Sequence, residues 1–189
     1  MTKGDYLVSQ QFFLSANGIF IKNNNYEQII KTFINLGKIT MELKSYHSSC
    51  SYFQQAENVY NENKIENDFL VGEIYYCIAC ANFKLENMKK AINYSYLAKE
   101  KFNQLDNKKE YANTLFLLAE EYSKKEDMDN AIKYSKNALE VYKKLNDSMN
   151  IAKIENNLGK LFYQFDNIEE SFIHLNKAKE LRIKLKDSD

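Results

Sequence analysis

The sequence predicts an all-α chain, a solenoid of antiparallel helix pairs, and two observations predict it. Proline is absent and glycine numbers only five in 189 residues. Strand-rich folds need such residues at their turns, so the scarcity favours helices. The second observation is a ladder of small residues with a period of 40 to 42. One slot reads Ala16, Ala56, Ala98, Ala138 and Ala178. A second, seven residues earlier, reads Ser9, Ser49, Ala91, Ala131 and Ser171. A third reads Gly37, Ala79, Ala119 and Gly159. Small side chains at fixed intervals mark places where neighbouring helices cross closely, and leucine there would overpack by about 1–3 kcal/mol.

Each element follows in order from that register. Residues 5–22 hold Ser9, Phe12, Ala16 and Phe20 in the slots of a second helix, without a first helix before them. This segment is an unpaired helix, and the chain is either cut from a longer protein or capped by it. Four helix pairs follow, at about 27–43 with 46–63, 67–85 with 88–104, 108–124 with 128–145, and 149–164 with 168–186. In the first helices an apolar residue precedes the third small slot: Leu36, Ile78, Leu118 and Leu158. Three positions earlier stand Phe33, Tyr75 and Leu115, and then Glu155, which breaks the pattern. In the second helices an aromatic slot runs Phe12, Tyr52, Tyr94 and Tyr134, and ends at His174. A later slot reads Phe20, Tyr60, Phe102, Tyr142 and Arg182. Apolar spacings of three and four within each segment are helical. The links are short and polar, as in Lys125-Glu126-Asp127, and short links make neighbours antiparallel. With no linker and no shift in composition, 1–189 reads as a single domain.

Composition removes several functions. There are 26 basic and 26 acidic residues, and this balance excludes a surface built for nucleic acid. No apolar run is long enough for a membrane span, and the start has no signal-peptide pattern, so a cytoplasmic protein is expected. Cys77 and Cys80 form a C-x-x-C inside a helix with no strand before it, unlike the redox motif. With Cys50 they read as packing residues in a reducing compartment. His47 and His174 lie far apart, and His174 occupies an aromatic slot, so a packed histidine is expected. No catalytic triad, phosphate loop or zinc motif is present, and no enzyme, metal or cofactor is expected. The carboxylate pairs Glu120-Glu121 and Glu169-Glu170 read as solvated faces.

The residues Leu115, Leu118-Ala119, Tyr122, Ala131, Tyr134 and Ala138 resemble the tetratricopeptide repeat, as do Asn157-Leu158-Gly159, Phe162, Ser171 and Ala178. The resemblance covers nearly the whole chain and implies a right-handed superhelix. The family's usual period is about 34, and the difference falls after the last alanine slot, in the second helix or its link. Stretches such as Ala138-Leu139-x-x-Tyr142-x-x-Leu145-Asn146-Asp147 are similar to the long repeats of peptide-pheromone receptors of Gram-positive bacteria, the Rap, NprR and PlcR type.

That resemblance implies a peptide-binding inner face on the first helices. Carried onto this chain, it consists of Lys31, Asn35, Lys38, Tyr76, Phe83, Asn113, Phe116, Lys153, Asn156, Asn157, Lys160 and Tyr163. Asparagine supplies a donor and an acceptor for a bound backbone. Aromatics supply contact area, and lysines can meet a terminal carboxylate. The expected function is a peptide-sensing domain of a transcription regulator whose DNA-binding part lies outside this chain. The rival is an adaptor that binds protein partners and no small ligand. Leu181, Ile183 and Leu185 would lack a covering repeat, which suggests a dimer contact at the terminal repeat.

Overall fold

A computed structural model describes residues 3–186, apart from the side chains of 3–7, 9, 10 and 17; Ser9 of the small-residue ladder therefore lies outside the described side chains. The described residues form nine helices and no strand: α1 (Lys3–Lys22), α2 (Tyr26–Glu42), α3 (Tyr46–Glu62), α4 (Asp68–Lys84), α5 (Met88–Gln104), α6 (Lys108–Lys124), α7 (Met128–Lys144), α8 (Ser148–Gln164) and α9 (Ile168–Lys186). Every predicted helix is present, with ends within two residues of expectation.

The turns explain the period. Each carries one residue in the left-handed region, and none of these is glycine: Asn24, Lys44, Lys64, Glu86, Asp106, Glu126, Asn146 and Asp166, with φ between 49° and 60°. At the α2–α3 turn the Ser45 N–H donates to the Thr40 carbonyl at 2.8 Å and the Lys44 N–H to Met41 at 2.9 Å. These two bonds satisfy carbonyls that the helix end leaves open. The following residue caps the next helix, as where Asn25, Asp127, Asp147 and Asn167 accept from N–H groups three positions on. Two helices of 17 residues with two three-residue turns make a unit of 40. The turn 63–67 has five residues and gives the single spacing of 42. The residues beyond the usual repeat length thus lie within the helices, because every link but 63–67 has three residues.

The chain divides into two compact units, 1–101 and 102–189, with the division inside α5. In the first unit α4 packs on both α2 and α3. Its core gathers Ile30, Ile34, Phe53, Leu70 and Ile74, all buried. Gly37 lies beneath the Phe53 ring, and a Cβ added there would overlap the ring atoms. Close by, the hydroxyls of Thr40 and Ser49 bond each other at 2.9 Å, and Ser49 also donates to the Gly37 carbonyl at 2.9 Å. The small slot thus brings backbones together and lets a buried serine join two helices.

In the second unit α6 packs on α7, α7 on α8 and α8 on α9. Leu115, Leu118, Tyr142, Ile154 and Leu158 are buried there. Gly159 repeats the role of Gly37 against Leu175, whose Cγ would stand 2.7 Å from an added Cβ. Among the described small-slot residues all are buried except Ala16, which is half-buried.

Two irregularities of the sequence prove to be one feature. Glu155 and His174 are both buried, and His174 Nδ1 lies 2.5 Å from Glu155 Oε2. The ring also stacks on Phe162 at 5.3 Å, much as Tyr134 stacks on Tyr122 at 5.6 Å. One expectation is corrected: Glu121 does not belong to a solvated face but is fully buried, while its neighbour Glu120 is half-buried. Adjacent helical residues point about 100° apart, so a Glu-Glu pair cannot share one environment at the edge of a core.

Candidate functional site

The first helices of each unit supply the candidate face. In the first unit Lys31, Asn35 and Lys38 project from α2, and Tyr76 and Phe83 from α4. Lys38 Nζ lies 2.6 Å from Glu73 Oε1, a bridge from α2 to α4. Partial burial works against the Lys38 ammonium, yet its pKa is raised, because the Cys77 sulfur and the Glu73 carboxylate favour the charged form. Lys31 meets Glu27 one turn earlier at 3.7 Å. Both lysines of this face are thus neutralised by neighbouring carboxylates. Tyr76 and Phe83 are half-buried, and Lys84 Nζ stands 5.6 Å from the Phe83 centroid. Cys77 is buried, and burial pushes its thiol far up, so it is not the low-pKa thiol that redox chemistry needs. Cys50, Cys77 and Cys80 form no disulfide with one another.

The second unit differs in its charge balance. Lys153, Asn157 and Lys160 follow the i, i+4, i+7 rule and so lie on one side of α8. Lys153 Nζ reaches over the Phe116 ring of α6 at 5.9 Å from its centroid. Lys160 is exposed, and neither lysine makes an ion pair among the described residues. The Asn157 side-chain nitrogen is buried and has no hydrogen-bond partner among the described residues. Tyr163, one turn beyond Lys160, is 65% exposed.

Two of the expected residues sit differently. Asn113 is engaged inside the unit, where the Tyr142 hydroxyl donates to its side-chain oxygen. Asn156 lines a cleft between α8 and α9 with Leu175, Ala178 and Arg182. The sequence reasoning placed Arg182 only in an aromatic slot and missed this cleft. Its signal was present, since the single arginine of the chain replaces Tyr60, Phe102 and Tyr142 at that register. Among the described residues no group of three or more His, Cys, Asp or Glu could hold a metal ion. No helix among them is long and apolar enough to cross a membrane.

Residues 110–184 match the family model of the tetratricopeptide repeat. The fold is shared with the crystal structure of BtubC from P. vanneervenii, at TM-score 0.88 and 18% identity, over 97% of this chain and 76% of that one. It is shared with aspartyl phosphate phosphatase F from Bacillus subtilis, at TM-score 0.85 and 18% identity, over 96% and 47%. It is shared also with the Rap conjugation gene regulator of plasmid pLS20 in complex with the Phr* peptide, at TM-score 0.72 and 19% identity, over 81% and 42%. The chain thus spans less than half the length of these last two proteins. At such identities the likeness establishes a tetratricopeptide-type fold and nothing finer. Among curated proteins no sequence match was found.

Proposed function

We propose that this chain of tetratricopeptide repeats is a regulatory module that binds a short peptide on the first helices of its second unit. The observation that carries the reading is the α6–α8 face, where Lys153 covers the Phe116 ring while Asn157 and Lys160 extend the same stripe. Among the described residues the two cations there are without carboxylate partners, unlike Lys31 and Lys38 of the first unit. An anionic group is what such a stripe accepts, and a peptide's terminal carboxylate is the simplest. Phe116 and Tyr163 would cover apolar side chains of the peptide. Support comes also from the pLS20 Rap regulator, a protein of the same fold solved with a peptide.

The wider role we assign is the peptide-sensing part of a transcription regulator. The mechanism is a shift of population: a peptide that prefers one arrangement of the helices pulls the equilibrium towards it by its differential affinity. The test is calorimetry with pentapeptides bearing a free terminal carboxylate, against the same peptides amidated. Lys153→Ala and Lys160→Ala should each weaken binding of the free-carboxylate peptides by about tenfold, roughly 1.4 kcal/mol. Equal affinity for the acid and amide forms would refute the assigned face. Failure of any peptide to bind would leave the fold to an adaptor that recognises whole proteins.

A further inference from the structure

The cleft between α8 and α9 has a volume of about 340 Å³, with Leu175, Ala178 and Ile183 as its apolar lining and Lys179, Arg182 and Lys186 as its charges. Arg182 also walls a second cleft of about 180 Å³ with Met149 and Leu185. None of the described lining residues of either cleft is acidic, although the chain carries as many acids as bases. Lys179, Arg182 and Lys186 make no ion pair among the described residues.

The first unit shows what such a cleft is shaped to hold. The repeat register equates Leu175, Ala178 and Arg182 with Phe53, Ala56 and Tyr60 of α3. There α4 lies against α2 and α3, with Leu70, Ile74 and Cys77 packed in the same core as Phe53 and Ala56. Tyr60 is half-buried against this core, and burial, followed by the charge of Asp68 in the first turn of α4, raises its hydroxyl pKa. A helix seated on the second unit in the manner of α4 would bring its own first turn near Arg182. At that register the inner repeats carry Tyr60, Phe102 and Tyr142, and an arginine there calls for a carboxylate.

We infer that the α8–α9 cleft is a docking site for an amphipathic helix of a partner chain, with acidic residues in its first turn and an apolar stripe behind them. The apolar stripe meets Leu175, Ala178 and Ile183. The acids meet Arg182 and Lys179, and Asn156 offers a hydrogen bond to the helix flank. Carboxylates at a helix start are also favoured by the helix dipole, so the arrangement suits both partners.

Lys179, Arg182 and Lys186 carry no part of the peptide face, although Arg182 lines the smaller cleft beside Lys153, so the charge of Lys179 is the cleaner probe of this site. The test uses the intact chain and a synthetic peptide copying residues 66–85, which contains α4 and its acidic start. Fluorescence anisotropy should give saturable binding that weakens as salt rises. Arg182→Glu, at an exposed position, should raise the Kd by about tenfold or more, and Asp68→Asn in the peptide should do likewise. Lys179→Glu is the second variant, and circular dichroism checks that each stays folded. No saturation up to about 1 mM, or affinity indifferent to these charges, would overturn the assignment. Dimerisation of the chain that Arg182→Glu abolishes would overturn it too, since the occupant would then be a second copy.

Discussion

Replacing Glu155 and His174 together by leucine and tyrosine tests how the last repeat is held. The two residues stand 19 apart, and so do Phe33 and Tyr52, Tyr75 and Tyr94, and Leu115 and Tyr134. In the first unit these pairs are aromatic contacts, with centroids 6.4 Å and 5.8 Å apart. In the last repeat the same register holds a buried carboxylate against a buried imidazole at 2.5 Å. His174→Tyr alone leaves Glu155 without its partner in the core, and breaking a buried pair in this way costs about 3–5 kcal/mol. Glu155→Leu alone leaves His174 facing only Glu170, at 3.7 Å and exposed, and costs about 1–3 kcal/mol. The double variant recreates the Leu115–Tyr134 pair, and Phe162 stands ready to stack on the new ring as Tyr122 does on Tyr134. Replacing a buried polar pair by well-packed residues of similar volume ranges from neutral to about 1–4 kcal/mol more stable. Urea unfolding followed by far-UV circular dichroism at neutral pH reads all four proteins. Against a total stability of about 5–15 kcal/mol, a loss of several is unmistakable. The reasoning fails if the double variant loses the sum of the two single losses, because the residues would then not act as a pair.

Three further outcomes follow from the same structure. Gly37→Ala should destabilise by about 1–3 kcal/mol through overlap with Phe53, and the same change should cost less in a Phe53→Ser background, although Phe53→Ser alone costs about 3–5 kcal/mol; thermal unfolding of the cycle checks the coupling. Glu126→Gly should stabilise by about 0.5–1 kcal/mol in the same assay, because Glu126 is held at φ 60° in an exposed turn. The Asp127 carboxyl is held below its ordinary value by the Asn130 side chain and then by its N–H; for Asp147, burial pulls upward but the Asn150 N–H and side chain prevail. Depressed carboxylates add stability above the unfolded value of about 3.9 and lose it as pH falls through the folded one, so Asp127→Asn with Asp147→Asn should flatten the acid limb of a stability–pH curve below about pH 5.

The helices were legible because their signal is redundant. Small, apolar and aromatic slots each repeat several times, and any one of them locates the hairpins. The turns were legible in length but not in conformation, since Lys44, Lys64 and Glu126 give no hint of a left-handed backbone. Only the common interval of 20 or 22 between these residues would have shown it. Glu155 and His174 were visible as two exceptions, and reading slots one at a time hid that they answer each other. Glu121 departs from the expected solvated face because neighbours in sequence are not neighbours in environment. Of the candidate site, the residue types were legible, but their partners were not. Nothing in the chain order says that Tyr142 occupies Asn113, or that Asn156 belongs with Arg182.

The repeat keeps the room between two helices and lets the chemistry that fills it vary. A second register shows this, with partners 16 apart: Gly37 with Phe53, Ala79 with Ser95, Ala119 with Ser135, and Gly159 with Leu175. Where the first helix gives up its Cβ, the second supplies a large side chain; where the first keeps a methyl, the second carries only a hydroxymethyl. Interiors are close-packed, so a change on one side demands the opposite change on the other. Phe53 satisfies that demand fully and is 1% exposed. Leu175 fills the space above Gly159 and yet remains 38% exposed in the α8–α9 cleft. Its inner edge is thus settled by the repeat, while its outer edge awaits an occupant. The same split applies to Arg182, which takes an aromatic register but offers a charge that no described neighbour answers. Positions whose inward partner is supplied and whose outward partner is missing are where a repeat protein can acquire a ligand without altering its own packing.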